Sequence, residues 1–345
     1  MAEFVDTTAS PHAEFLLGQD PSTEQMVALR EAVFLLQTEV PFFLKNVARV
    51  VDEVLVSFDN DDGDVEAVVE EDKETASVQQ AGAGNVVLEG GAPVVKGHAN
   101  VLGVKIVNAN MTLTLDKKAV KTEIRPSKPC VLRQAIAARN FTQRAREGVH
   151  AWSYGFTKIQ QMRPEEITFQ VARGFLDRAH VALEELAKEV SCARNQLLFS
   201  ASSLEFPTVN DMGVFQPSLP KHVLVKFDIS DADLQVNVFV LRQIDLGGAA
   251  MMFQRSPFRK KFPSKDNKTF VSHREKSGYH VGEEMEFDGH AYMVTEQYTG
   301  KYLVSTFRSV NSSLAAVYRE CEFLLEKIAA HQTIFESCIA QQQRV

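Results

Sequence analysis

Residues 26–54, MVALREAVFLLQTEVPFFLKNVARVVDEV, place Met26, Leu29, Val33, Leu36, Val40, Phe43, Val47, Val50 and Val54 at unbroken steps of three and four. Such steps build one apolar seam along a helix, with a repeat of about 3.5 residues, and favour long helices packed side by side. The rhythm returns near the other end in Val310, Leu314, Val317, Cys321, Leu324, Ile328, His331, Phe335 and Cys338. Two central stretches repeat it, Val131 to Ile159 through Ala135, Ala138, Thr142, Ala145, Val149, Trp152 and Phe156, and Phe169 to Leu197 through Leu176, Leu183 and Leu186. Four complementary seams in one chain predict an antiparallel four-helix bundle built from both termini and a central helical hairpin. Its seam is expected to hold Leu29, Leu36, Leu176, Leu183, Leu186, Leu197, Leu314 and Leu324.

The helix boundaries follow from local chemistry. Ser22 with Gln25 forms a capping-box pattern for the first helix, and Pro41 inside it predicts a kink, because proline lacks a donor and crowds the preceding turn. Pro164 with Glu165 and Glu166 predicts the start of the fourth-seam helix. The break at Met162 and Arg163 is short enough to fold the central helices back antiparallel, so that Trp152 and Phe156 meet the small residues Ala172 and Ala179.

Between the helices the period changes. Met111, Leu113 and Leu115 alternate with Thr112 and Thr114, and Val223 to Ile229 and Leu234 to Val240 alternate about a turn at Ser230 to Asp233. Alternation is the mark of strands, here of a hairpin with one buried face. Met285 to Phe287, a turn at Asp288-Gly289, Ala291 to Val294 and Tyr302 to Thr306 add further strands. The fold class is therefore α+β. A helical domain is expected from residues 22–58, 127–199 and 308–340, and a separate antiparallel β domain from two inserts, 81–126 and 200–307. Residues 1–21 read as a disordered tail, 59–80 as an acidic linker and 254–276 as a basic loop.

With 345 residues, 45% of them hydrophobic, the chain can bury a substantial core. A formal charge of −8 argues against a nucleic-acid binder, whose surfaces are dense in Lys and Arg. The cysteines, Cys130, Cys192, Cys321 and Cys338, are far apart and form no C-x-x-C pair. That spacing fits reduced thiols in a cytoplasmic protein, and no apolar window reaches the ~20 residues of a membrane span. Asp61-Asp62-Gly63-Asp64 fails as a calcium loop, since Phe58 and Val69 would stand at the first and last ligand places. No phosphate loop, zinc helix or nucleophile elbow occurs, so no catalytic, cofactor-binding or metal-binding residue is assigned. His331 falls on a seam and reads as a satisfied core or bundle-end histidine; His273, His280 and His290 have no cysteine near them. The basic stretch with Arg259, Lys260 and Lys261 beside Ser256 reads either as a solvated loop or as an electrostatic contact for acidic lipid or an acidic partner.

Several segments together resemble the Rogdi family of leucine-zipper-like proteins. They are Ala193-Arg194-Asn195-Gln196-Leu197 at a helix end, Leu204, Pro207, Phe215-Gln216-Pro217-Ser218-Leu219-Pro220, the hairpin Val223 to Leu241, Val95-Lys96-Gly97, and the first and last helices. Arg194 and Asn195 suit a helix C-terminus, and Pro217 and Pro220 stiffen the approach to the hairpin. The resemblance implies a scaffold without enzymatic activity or cofactor, the smaller subunit of a RAVE-like complex. Its implied partners are a large WD-repeat protein of the rabconnectin type, the V1 sector of the vacuolar-type proton ATPase and, in some lineages, a Skp1-like subunit. It also implies a cytoplasmic protein recruited to vacuolar and endosomal membranes through those partners. Phe215, Pro217, Leu219 and Pro220, with Arg259, Lys260 and Lys261, are the expected partner-facing residues. Two other readings stay open: a generic coiled-coil adaptor of trafficking or the cytoskeleton, and an enzyme with a site near His280, Glu283 and His290.

Overall fold

The computed structural model describes residues 23–59, 83–89, 95–115, 118–199, 212–244, 281–288 and 290–342. The expected N-terminal tail, the Ser22 cap, the acidic linker beyond Asp59, the basic loop with Arg259, Lys260 and Lys261, and His273 and His280 lie outside those residues.

The first seam forms α1 (Thr23–Phe34), a π turn (Leu35–Glu39) and α2 (Val40–Asp59). The interruption expected at Pro41 takes the form of this wider turn, in which the Val40 N–H donates to the Leu35 carbonyl. Widening the turn ahead of a proline makes room for its ring and its missing donor. The central seams form α3 (Arg133–Gln161) and α4 (Phe169–Leu198), and the last forms α5 (Ser305–Gln342).

Three boundaries differ from expectation. Pro164 opens only a 3-10 turn (Pro164–Glu166), and α4 starts later, where the Thr168 hydroxyl accepts the Val171 N–H at 3.4 Å. α3 starts at Arg133, leaving Val131 exposed in a two-residue strand. Tyr302 ends a strand and Ser305 begins α5, so Tyr302–Thr306 is a junction and not a strand of its own.

The strands make two antiparallel sheets. The first holds β1 (Ala83–Glu89), β2 (Val95–Leu102), β3 (Lys105–Leu115), β4 (Lys118–Ile124) and β6 (Phe215–Gln216) in that order, with β5 (Cys130–Val131) also paired to β3. The pairs Glu123↔Gln216 and Ile124↔Phe215 join the second insert to the first within one sheet. The other sheet runs β7 (Val223–Ser230), β8 (Asp233–Gln243), β10 (His290–Tyr302), β9 (Glu284–Phe287). Met111, Leu113 and Leu115 are buried while Thr114 is exposed, the alternation anticipated for a sheet with one wet face. Gly97 is required by crowding: a Cβ there would stand 1.9 Å from the Asn110 carbonyl oxygen.

Two compact units result. One takes the described residues within Met1–Asp52, Arg144–Val190 and Ala316–Val345, all helical; the other takes those within Glu53–Gln143 and Ser191–Ala315 and contains both sheets. In the helical unit Arg144 pairs with Glu189 at 2.8 Å and Phe156 meets Phe175 at 6.2 Å, which sets α3 and α4 antiparallel. The Trp152 indole lies against Gly148, one turn back on α3. Gln332 donates to Asp177 at 2.7 Å and Phe335 meets Phe169 at 5.1 Å, so α5 runs antiparallel to α4. The π turn is tied on both sides. Gln37 donates to the Ile159 and Met162 carbonyls at 2.8 Å, closing the open end of α3, and Glu39 pairs with Lys327 of α5 at 2.7 Å. Of the expected seam leucines, Leu36, Leu176, Leu183, Leu186, Leu197, Leu314 and Leu324 are buried, whereas Leu29 is half-buried.

Candidate interaction site

In the sheet-containing unit, the segment from the end of α4 through the β7–β8 hairpin is organised around a tight turn. Asp231 and Ala232 both have positive φ, 56° and 59°, the conformation of a two-residue hairpin that matches strand twist. That geometry turns their amides outward. The Asp231 N–H donates to the Leu198 carbonyl at 2.9 Å and the Ala232 N–H to the Leu197 carbonyl at 2.8 Å. The hairpin thus caps α4, supplying donors to carbonyls that a helix end leaves open. Arg194 and Asn195, expected at the helix terminus, lie inside the last turns; the Arg194 Nε contacts the Asn311 Oδ1 at 3.4 Å and the Asn195 carbonyl accepts from Phe199.

Gln134, in the first turn of α3, is the second fastening. Its Oε1 accepts the Ile229 N–H at 2.6 Å, and its Nε2 donates to the carbonyls of Ile229 at 2.8 Å, Phe199 at 3.0 Å and Gln196 at 3.1 Å. One buried amide therefore links the start of α3, the end of α4 and strand β7. Arg308 of α5 completes the joint with a bidentate pair to Asp233, Nε to Oδ1 and Nη2 to Oδ2 both at 2.7 Å. That hydrogen bond and the Asp233 charge raise the Arg308 pKa above its usual value.

A polar cluster lies on the same sheet. Asp228 accepts from Asn237 Nδ2 at 3.0 Å and from the Lys226 ammonium at 3.4 Å, while Asn237 Oδ1 receives Gln235 at 3.0 Å and Thr299 at 2.8 Å. Asp228 and Asn237 are buried, so the hairpin does not have the single buried face its alternation suggested. Next to them, Leu224, Phe239, Leu241, Tyr292 and Val294 form an apolar core on the same face. The alternation carried the signal for Val223, Val225 and Ile229 but assigned Asp228 and Asn237 to solvent, and Gln134 stands off the apolar seam of its own helix.

The expected partner-facing residues separate. Phe215 is buried and stacks on Phe227 at 6.1 Å, which corrects its assignment to a contact surface. Pro217 and Ser218 are exposed, Leu219 and Pro220 half-buried, and the Pro217 carbonyl accepts the Thr122 hydroxyl at 2.9 Å. In the helical unit an open groove of about 460 Å³ is lined by Arg30, Glu31, Phe34, Leu35, Glu39, Lys327, Ala330 and His331. His331 was expected to be satisfied; its Nδ1 is buried without a hydrogen-bond partner among the described residues. Further along α5, Cys321 is buried, and burial with the charges of Glu320 and Glu322 pushes its thiol up to about 12. Among the described residues, no cluster of three His, Cys, Asp or Glu side chains could hold a metal ion, and no helix is long and apolar enough to cross a membrane.

Fold and site together define an α+β protein in which buried amides and ion pairs fasten helix ends to a β-hairpin. A family model described as Rogdi leucine zipper containing protein matches residues 73–291, well over half of the chain, and the chain belongs to that family. No curated protein matches it.

Proposed function

We propose that this protein is a non-catalytic scaffold subunit of a RAVE-like complex that promotes joining of V1 to the membrane sector of the vacuolar-type proton ATPase. The observation that carries the reading is membership of the Rogdi family over residues 73–291, which is not a known family of enzymes. Its partners are a large WD-repeat subunit of the rabconnectin type and V1, with a Skp1-like subunit in some lineages. It works in the cytoplasm and reaches vacuolar and endosomal membranes through those partners. The helices form an antiparallel four-helix bundle that keeps the shape of the chain; the pairings of α3 with α4, of α4 with α5 and of the π turn with both α3 and α5 support that arrangement. Pro217, Leu219 and Pro220, with Arg259, Lys260 and Lys261, offer contact surface to the partners.

Deletion tests the reading. Total V1 and membrane-sector subunits are expected to stay at normal abundance while membrane-bound V1 falls and lumenal pH of acidic organelles rises. Unchanged V1 attachment and unchanged lumenal pH, with no paralogue to compensate, would leave a generic adaptor role in its place.

A further inference from the structure

The face of α1 turned away from the core carries Val27, Arg30, Glu31 and Phe34, all exposed, with Val27 at 48% and Phe34 at 57%. Steps of three and four place these residues on one stripe of the helix. Two large apolar side chains at that exposure are costly to leave in water, and they bracket a cation and an anion that have no ion-pair partner among the described residues.

The order of chemistry along the stripe is a palindrome: apolar, cation, anion, apolar. A helix laid antiparallel on a copy of itself, with the two-fold axis between Arg30 and Glu31, sets Arg30 of each chain opposite Glu31 of the other and Val27 opposite Phe34. Self-complementarity of this kind is what an isologous interface demands, since the same patch must satisfy both sides. A stripe reading cation-cation or anion-anion would repel its own copy; this one pairs four charges and covers four apolar side chains. The groove between α1 and α5, whose rim includes Phe34, Lys327 and His331, runs beside the stripe and gives the opposing helix a concave seat.

We propose that the protein self-associates as a two-fold dimer through α1, with the second copy as the occupant of this face. The inference rests on the helical unit alone and is independent of the role in pump assembly. One helical stripe per copy makes a small interface, so the dimer is expected at micromolar concentrations and weakens as salt rises.

Sedimentation of the full chain over about 1 to 200 micromolar spans the range of such an equilibrium. The parent protein is expected to shift from monomer to dimer. Arg30→Glu alone and Glu31→Arg alone set like charges together twice, and each should weaken association at least tenfold. The double variant Arg30→Glu/Glu31→Arg restores opposite pairs and should return to parental affinity, while Phe34→Ser should remain monomeric. All these positions are exposed, so melting temperatures close to the parent's are expected and separate lost association from lost folding. A parent that stays monomeric throughout overturns the proposal and leaves the face to a different protein. A dimer indifferent to the single charge changes, or one that the double variant fails to recover, overturns it equally.

Discussion

Gln134 pairs with Ile229 as a neighbouring strand would: its side-chain amide accepts the Ile229 N–H at 2.6 Å and donates to the Ile229 carbonyl at 2.8 Å. The same nitrogen reaches the Gln196 and Phe199 carbonyls, so its two protons are shared among three acceptors at the end of α4. Replacement by Leu keeps the volume but strands buried backbone groups. Gln134→Leu should cost about 2–4 kcal/mol, read as a lower denaturation midpoint with unchanged denaturant slope. Gln134→Glu, which removes the donors but keeps the acceptor, should be no better.

The Arg308–Asp233 pair fixes α5 against the strand that follows the hairpin turn. Lysine cannot reproduce a two-pronged contact. Arg308→Lys and Asp233→Asn should each lower the melting temperature. The double variant should be less unstable than the two single losses combined, and strict additivity would show that the two residues are not coupled.

Close backbone approach sets a third expectation. Gly103 has φ of +54°, and a Cβ there would lie 2.4 Å from the Phe58 carbonyl oxygen, where the β2–β3 turn meets the last turn of α2. Gly103→Ala should cost about 1–3 kcal/mol. Gly97→Ala should be worse, because the offending oxygen belongs to the neighbouring strand and cannot yield without breaking the ladder. Gly174 has open space around it, so Gly174→Ala in α4 should be neutral or stabilising and serves as the control.

Cys321 links pH to stability. Its folded thiol titrates near 12 against an ordinary 9.0, so the folded state holds the proton more tightly. That contribution is fully present below about pH 9, and it is lost as pH rises from there through the folded value. The parent should therefore lose stability above pH 9 more steeply than Cys321→Ala does. A thiol reagent near neutral pH should leave Cys321 unlabelled until the chain is unfolded, and prompt labelling of the native protein would contradict its burial.

Leu183 and Leu186 face the interior of the helical unit. Leu183→Ala should destabilise by about 2–5 kcal/mol. Leu183→Asp combined with Leu186→Asp should abolish cooperative unfolding, since two carboxylates would be taken out of water into a buried apolar position.

The sequence by itself determined where apolar surface must go. Seams of three and four residues marked the helices, and alternation marked β3, β7 and β8, because burial of every third, fourth or second side chain is a local property of helix and strand geometry. What the seams could not show is which polar residue would be enclosed. Gln134, Asp228 and Asn237 stand at positions whose local pattern reads as wet, and they are buried because partners meet them there: the Gln196, Phe199 and Ile229 carbonyls accept from Gln134, the Asn237 amide and Lys226 ammonium donate to Asp228, and the Thr299 hydroxyl donates to Asn237. Phe215 erred in the opposite sense: a short aromatic and proline stretch between longer elements resembles a contact loop, yet pairing with β4 and stacking on Phe227 draw its ring inside. The π turn before Pro41 belongs to this class too, since a proline announces a local disturbance but not its form. Tertiary structure alone decided these points, because hydrogen bonds between remote residues depend on three-dimensional register, and periodicity carries no record of which carbonyl will arrive opposite which amide.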